Sequence, residues 1–205
     1  MYKYTLPIDY KNFNKNCELP YYLEINHIFQ DMQDFINFLE SINEKLDSAK
    51  ISPLETFLMP ANFSSIVGEF IIARIPQYCN YLVKNKYHNG HPDLIPKGMF
   101  TNDAVQYTKE GIEVKSSRRP SGWQGHNPES VWLIVFHFDS ISSNEIIKGK
   151  AYKPFCFKGV YAAKLDKEDW NFAGRSDSSR RTITASINQR GIAKLKKNWV
   201  YRYNQ

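Results

Sequence analysis

The sequence predicts one domain of the mixed α/β or α+β class, in which a central mixed β-sheet is flanked by helices. Three observations lead to this prediction. Apolar residues recur at helical spacing in the first 83 positions, strand-like patterns follow residue 110, and a short basic helix pattern lies near the end. The chain has 205 residues and 42% of them are apolar, so it can bury a core without disulfide bonds.

Two amphipathic helices are expected in the first part of the chain. Between residues 28 and 46, apolar side chains fall on one face at intervals of three and four, opposite a polar face. Residues 47–60 contain two prolines and predict a loop. A second helix is expected to follow N-cap candidates at residues 62–65 and to reach about Val83, with a kink at Pro76.

The second part of the chain predicts strands. Residues 111–115 alternate between apolar and polar, which is typical of a half-buried strand, and the apolar run 131–138 predicts a strand buried on both faces. A short basic helix is expected at 188–197. The remaining predicted strands, rich in β-branched and aromatic residues, are 157–165, 180–187 and 199–203.

No repeat, low-complexity segment or linker divides the chain, so residues 1–205 are expected to form a single domain. Within it, the sequence predicts a helical and irregular N-terminal part (1–60), a core that carries the functional residues (61–140) and a basic C-terminal part (141–205).

Cysteine usage and hydropathy exclude several classes of protein. Cys17, Cys79 and Cys156 are far apart and form no CxxC pair, which argues against a disulfide framework or a structural zinc site. No run approaches 18 apolar residues, and the N-terminus lacks the apolar stretch of a signal peptide. A cytoplasmic protein without a membrane partner is therefore expected.

Positive charge is concentrated at the end of the chain. The net charge is +6, and residues 171–205 carry eight basic residues and one acidic residue. A basic segment of this kind is expected where the partner is a polyanion, and the alternative is a solubilising surface. Aromatic residues make up 15% of the chain, and rings interleaved with arginine can stack on bases.

The residues with the clearest chemical pattern lie between His91 and Lys115. Because side chains alternate along a strand, Glu113 and Lys115 share one face. If the segment around Asp93 pairs with that strand, the carboxylates of Asp93 and Glu113 converge, and two convergent carboxylates suit Mg²⁺. The lysine can orient or deprotonate a water molecule, or neutralise charge that develops on the phosphate, and the sequence leaves these roles open.

In this segment, Pro92-Asp93 is followed by a spacer of 19 residues and then by Glu113-Val114-Lys115. This pattern resembles the signature of PD-(D/E)xK nucleases, a superfamily that includes most type II restriction endonucleases. The resemblance covers about residues 64–139. It implies a restriction-endonuclease-like fold, in which Asp93 and Glu113 hold Mg²⁺ and Lys115 acts on the nucleophile.

The resemblance also implies an activity and partners. The chain is expected to be a sequence-specific type II endonuclease that hydrolyses phosphodiester bonds of double-stranded DNA and leaves 5′-phosphates. Cleavage of both strands by one site per chain implies a homodimer, and a restriction enzyme implies functional pairing with a DNA methyltransferase. The alternatives are a structure-selective resolvase or repair nuclease of the same superfamily, or a basic DNA-binding module without catalysis.

Members of this superfamily often supply another carboxylate from the preceding helix, and Glu69 is the candidate metal ligand here. The alternative is that Glu69 reaches solvent or pairs with Arg74. His88 and His91 have the spacing of a zinc-ligand pair but no further paired ligand, so they are interpreted as structural or surface histidines, with zinc ligation as the alternative. Candidate DNA contacts in the loop after the motif and in the basic segment are Ser117, Arg118, Arg119, Trp123, Gln124, His126, Asn127, Arg175, Arg180, Arg181, Lys194 and Lys197.

Overall fold

The computed structural model describes residues 3–125, 128–173 and 184–203, and within them the fold is a mixture of helices and strands. The helices are α1 (Ile25–Ser48), α2 (Leu54–Phe57), α3 (Pro60–Tyr78), α4 (Ser143–Ile147) and α5 (Gln189–Lys197). The strands are β1 (Leu82–Lys84), β2 (Leu94–Pro96), β3 (Ile112–Ser117), β4 (Gln124–Gly125), β5 (Trp132–Asp139), β6 (Cys156–Lys164), β7 (Trp170–Ala173), β8 (Thr184–Ile187) and β9 (Trp199–Arg202).

The strands form two sheets. The larger has six strands in the order β1-β2-β3-β5-β6-β9, and the smaller has three in the order β4-β8-β7. β3 and β5 are parallel, whereas the other paired strands are antiparallel. The predicted class, mixed α/β with a central mixed sheet, is therefore confirmed.

The large sheet is covered on both faces. On one face, Ile112, Val114 and Ile134 pack in a core with the apolar sides of α1 and α3. On the other, Leu133 and Val135 pack with residues of the small sheet and of α5. Burial on both faces accounts for the nearly continuous apolar run of β5.

The connection from β3 to β5 does not follow the usual pattern for parallel strands. It contains no helix in its described residues, and instead it supplies β4, which pairs with β8 in the small sheet. The end of β3 and the loop after it therefore lie where the two sheets meet.

The two long helices follow the predicted apolar spacing. In α1, Ile28, Met32, Phe35 and Leu39 are buried at intervals of three and four residues. Helix α3 begins with Pro60 at its first turn, where a missing amide hydrogen is tolerated.

Some boundaries differ from those predicted from the sequence. Helix α3 ends at Tyr78, two residues after Pro76, and residues 82–84 form β1 rather than the end of a helix. The predicted loop at 47–60 contains α2, and β7 was not predicted. Of the predicted strand at 180–187, the first residues lie outside the described part of the chain, and 184–187 form β8.

Two expectations about composition can be compared with the structure. All three cysteines carry free thiols, as their spacing predicted. Among the described helices, none combines the length and the apolar character needed to cross a lipid bilayer.

Candidate active site

The predicted pairing around Asp93 is present. Leu94 of β2 pairs with Ile112 of β3, and this is the one residue pair between the two strands. Where the next ladder bond would form, the Val114 N–H donates to Asp93 Oδ2 at 2.9 Å. The Asp93 carboxylate thus occupies the gap between the strands.

Glu113 and Lys115 lie beside it on β3. The Lys115 ammonium donates a hydrogen bond to Glu113 Oε1, which closes an ion pair on one face of the strand. The Glu113 side chain is 9% exposed and that of Lys115 is 26% exposed, so the ammonium is the more accessible of the two groups. The structure therefore brings Asp93, Glu113 and Lys115 together.

Burial and neighbouring charges separate the pKa values of the two carboxyl groups. Burial, followed by the negative charge of Glu113, raises the pKa of Asp93 to about 7. Burial acts in the same direction on Glu113, but hydrogen bonds and positive charge from His91 and Lys115 outweigh it and lower its pKa to about 2. Burial opposes the charged form of Lys115, yet the surrounding carboxylates raise its pKa above the ordinary value.

Two further side chains complete the cluster. His91 Nδ1 lies 2.9 Å from Glu113 Oε2, and His91 Nε2 lies 3.2 Å from Glu129 Oε2. One ligand atom from each of His91, Glu113 and Glu129 lies within 4.8 Å of the others. His91 stacks on the ring of Tyr107, with the ring centroids 5.7 Å apart.

Asn85 holds the backbone of the turn that carries His91 and Asp93. Its side-chain amide donates to the carbonyl oxygens of Pro92 (3.1 Å) and Val105 (2.8 Å). Its side-chain oxygen accepts from the N–H groups of Tyr87 and Val105, and its own N–H donates to Asp93 O at 2.9 Å. A single buried side chain therefore joins the turn at Pro92 to the backbone at Tyr87 and Val105.

Asp93 and Lys115 line an open cleft between β3 and α3. The cleft has a volume of about 360 Å³, and its α3 wall includes Ser64, Gly68 and Glu69. Gly68 permits a close approach, since a Cβ atom there would lie 3.2 Å from Ser116 Oγ. The cleft is therefore walled by small polar groups next to the carboxylates.

Glu69 lies at the edge of this cleft. Its carboxylate pairs with Lys84 at 2.8 Å, and its side chain is 66% exposed. It also lines a neighbouring cleft of about 630 Å³ together with Asp93. Glu69 therefore reaches solvent, as one alternative expected, but its ion-pair partner is Lys84 and not Arg74, which donates to Asp34.

The candidate DNA contacts after the motif have different surroundings. Arg118 donates to Ser140 O and pairs with Glu145 at 2.6 Å, and Trp123 is buried in the core beneath the small sheet. Ser117 Oγ accepts from the N–H of Arg119, and the side chains of Arg119 and Gln124 are exposed. His126, Asn127, Arg175, Arg180 and Arg181 lie outside the described residues.

The basic residues of α5 also differ from one another. Lys194 pairs with Asp166 at 3.1 Å and with Asp169 at 2.5 Å, whereas Lys196 and Lys197 are exposed. Asp169 is fully buried, so Lys194 has a structural partner of its own.

Reasoning from the sequence missed His91, Glu129 and Asn85 as members of the site. Two signals were available for His91: it stands two positions before Asp93, and it forms a His-x-x-His spacing with His88. Glu129 and Asn85 are separated from the motif by loops and gave no pattern.

Comparison of the chain with protein-family models, with curated proteins and with solved structures finds no match. The resemblance to PD-(D/E)xK nucleases therefore stays a prediction.

Proposed function

We propose that this chain is a Mg²⁺-dependent nuclease that hydrolyses phosphodiester bonds of double-stranded DNA. The observation that carries the proposal is the convergence of the Asp93 and Glu113 carboxylates with the Lys115 ammonium beside an open cleft. Two carboxylates fit a hard cation, because Mg²⁺ in phosphoryl-transfer sites uses one or two protein carboxylates together with waters and substrate oxygens. Asp93 and Glu113 are the residues that would hold it.

The chain's own residues supply the other parts of the chemistry. When bound, the cation polarises the scissile phosphate and activates a water molecule. The Val114 N–H fixes one oxygen of Asp93, and Lys115 orients Glu113 while it places positive charge where the phosphate gains negative charge. In the hydrolysis, the water oxygen bonds to phosphorus and the bond from phosphorus to the 3′ oxygen breaks, which leaves a 5′-phosphate and a 3′-hydroxyl.

The proposal extends to a type II restriction endonuclease that acts as a homodimer and is paired with a DNA methyltransferase. The described residues contain one cluster of two carboxylates and a lysine. Because cleavage of both DNA strands by a symmetric enzyme needs two active sites, this supports a dimer. The resemblance of the motif supports the specificity. Discrete fragments from unmethylated plasmid or phage DNA, and a dimer on DNA in analytical ultracentrifugation, are the expected results.

The first experiment is incubation of the purified full chain with intact unmethylated DNA, in Mg²⁺ and in EDTA. We expect cleavage in Mg²⁺ alone. A smear instead of bands would indicate a non-specific nuclease rather than a site-specific one, and cleavage confined to branched junctions would indicate a resolvase. DNA binding without cleavage of any of these substrates would overturn the enzymatic proposal.

Variants at the site identify the residues responsible. Asp93→Asn and Lys115→Met are expected to lower the cleavage rate by about 10²–10³-fold or more while DNA affinity changes little. The matched controls are Asp139→Asn and Lys153→Met. These substitutions break a partly exposed ion pair, with an N–O distance of 2.7 Å, between residues that do not line the cleft. Cleavage at the wild-type rate by the Asp93 and Lys115 variants would show that the activity lies elsewhere.

A further inference from the structure

The cluster around His91 contains two potential ligands, His91 and Glu129, that the proposed Mg²⁺ site does not use. Three carboxylates, from Asp93, Glu113 and Glu129, face the ammonium of Lys115. Glu129 is 5% exposed and Glu113 is 7% exposed. Carboxylates removed from water are costly unless cations or hydrogen-bond donors compensate them, and Glu129 is not one of the two carboxylates proposed to hold Mg²⁺.

The geometry of His91 indicates where a metal ion would bind. Nδ1 is hydrogen-bonded to Glu113, which leaves Nε2 as the free ring nitrogen. Nε2 is buried and lies 3.2 Å from Glu129 Oε2, yet the contact lacks hydrogen-bond geometry. A buried ring nitrogen that faces a carboxylate oxygen without a hydrogen bond is the arrangement that a metal ion satisfies.

The loop that carries Glu129 and the segment that carries His91 are each held by their own hydrogen bonds. Trp170 Nε1 donates to Glu129 O at 3.0 Å, and the Leu165 N–H donates to Val131 O at 3.0 Å. On the opposite side, the His91 N–H donates to Gln106 O, and the Thr108 N–H donates to His91 O, both at 3.0 Å. The imidazole and the carboxylate are thus positioned by independent parts of the fold.

We infer that His91, Glu129 and Glu113 form a second cation site, which takes a borderline divalent ion such as Co²⁺ or Zn²⁺. His91 Nε2 and Glu129 are the primary ligands, and Glu113 fixes the imidazole through Nδ1 while its other oxygen faces Lys115. An imidazole nitrogen selects these ions over Mg²⁺ and Ca²⁺, which prefer oxygen ligands alone. The inference goes beyond the proposed nuclease activity, because the site needs no DNA and no cleavage.

The test is titration of the full chain with CoCl₂ alone, without DNA or Mg²⁺. The visible absorption of bound Co²⁺ and the paramagnetic shift of the His91 ring protons report on ligation by this imidazole. We expect a saturable Co²⁺ site that uses the His91 imidazole, whose affinity His91→Gln and Glu129→Gln each weaken by about tenfold or more. The matched control is His88→Gln, an exposed histidine three positions away, which should change the affinity less than twofold.

Folding and function are separated in the same experiment. Co²⁺ should raise the melting temperature of the wild type and of the His88 variant but not of the two ligand variants, whose melting without metal shows whether they fold. Asp93→Asn should lose Mg²⁺-dependent cleavage and keep its Co²⁺ affinity within threefold. The inference is overturned if either folded ligand variant binds Co²⁺ with wild-type affinity, or if the His91 ring shows no paramagnetic shift, whatever the cleavage assay gives. If Co²⁺ binds as expected but no DNA is cleaved, only the proposed function is overturned.

Discussion

At the scale of single residues, the site depends on side chains that hold the backbone as much as on those that carry charge. Asn85 is 7% exposed, and its amide satisfies backbone groups in three segments around Asp93. Loss of this amide leaves buried carbonyl and N–H groups without partners, which costs more than an average hydrogen bond contributes.

Replacement of Asn85 by alanine is therefore expected to lower the free energy of unfolding by about 1–3 kcal/mol. Urea denaturation measures this change. The control is Asn37→Ala, because Asn37 is exposed on α1 and bonds only to Gln33 among the described side chains, so its effect should stay within about 0.5 kcal/mol. Equal effects of the two substitutions would contradict the role given to Asn85.

The sequence was sufficient for the residues joined by local pattern. The two-residue period of a strand placed Glu113 and Lys115 on one face, and the pairing considered for the segment around Asp93 brings this carboxylate beside them. Glu129 was beyond prediction because its contact with His91 depends on a loop that crosses between two sheets. Trp123 was predicted to contact DNA, with packing onto the core as the alternative, and the structure places it against Tyr161 in the core.

At the scale of elements, the pairing of β2 with β3 requires a glycine at position 111, where the chain passes close to Pro92 and Leu94. Gly111 has a φ of +136°, and a Cβ atom there would lie 2.2 Å from Leu94 O and 2.6 Å from Pro92 Cγ. Both the backbone conformation and the contact exclude a side chain.

Gly111→Ala is expected to destabilise the fold by about 3 kcal/mol or more, since backbone strain and overpacking add. Gly98→Ala is the matched control, because Gly98 also has a positive φ of +75° but has nothing within 4 Å of its added Cβ. That control should cost only about 1–2 kcal/mol. Thermal or urea unfolding measures the difference between the two variants. A Gly111 variant no less stable than the Gly98 variant would show that β2 and β3 can accommodate a side chain at position 111 without a loss of stability.

A second element-scale feature links the end of β3 to α4. Burial raises the pKa of Glu145, but hydrogen bonds from Arg118, Ser142 and Lys150 outweigh it and lower the pKa to about 2. Because the folded pKa lies below the ordinary value of 4.5, Glu145 stabilises the fold above about pH 4.5, and this contribution is lost as the pH falls towards 2.

Glu145→Gln should therefore cost about 1–3 kcal/mol at pH 7, and the difference from the wild type should shrink between pH 4.5 and 2. Urea denaturation at several pH values measures it. Glu168→Gln removes an exposed carboxylate and should stay within about 0.5 kcal/mol. A difference that persists unchanged at pH 2 would mean that the ion pair with Arg118 is not its source.

Elements with a long, regular pattern were predictable, and short ones were not. The long apolar stripe of α1 and the apolar run of β5 each repeat often enough to identify their period. Strands β1, β2 and β4 have two or three residues, too few to show a period, and tertiary pairing alone defines them. Helix α3 was predicted to run too far because the apolar residues after Pro76 suit a strand equally well.

At the scale of the whole molecule, positive charge in the described part of the chain divides into paired and free groups. Lys194 neutralises Asp166 and the buried Asp169, which joins α5 to the segment before β7. Lys196 and Lys197 extend from the same helix into solvent. Net charge alone therefore overstates the cations available to a polyanion, and only the free ones contribute counterion release on binding to DNA.

The salt dependence of DNA binding separates these two groups. If the last turn of α5 binds phosphates, the double variant Lys196→Gln/Lys197→Gln should have a shallower slope of log K against log salt concentration. The slope should fall by about 0.9 for each phosphate that a lysine no longer neutralises. The free energy of unfolding should change by less than about 0.5 kcal/mol. Lys194→Gln is the matched control on the same helix: we expect an unchanged slope and a loss of about 1–3 kcal/mol in unfolding free energy, because Asp169 loses a charged partner. Fluorescence anisotropy with duplex DNA over a range of salt concentrations, together with urea denaturation, measures both quantities. A double variant with the wild-type slope would exclude this end of α5 from the DNA interface and leave the loop after β3, where Arg119 and Gln124 are exposed, as the described surface to test next.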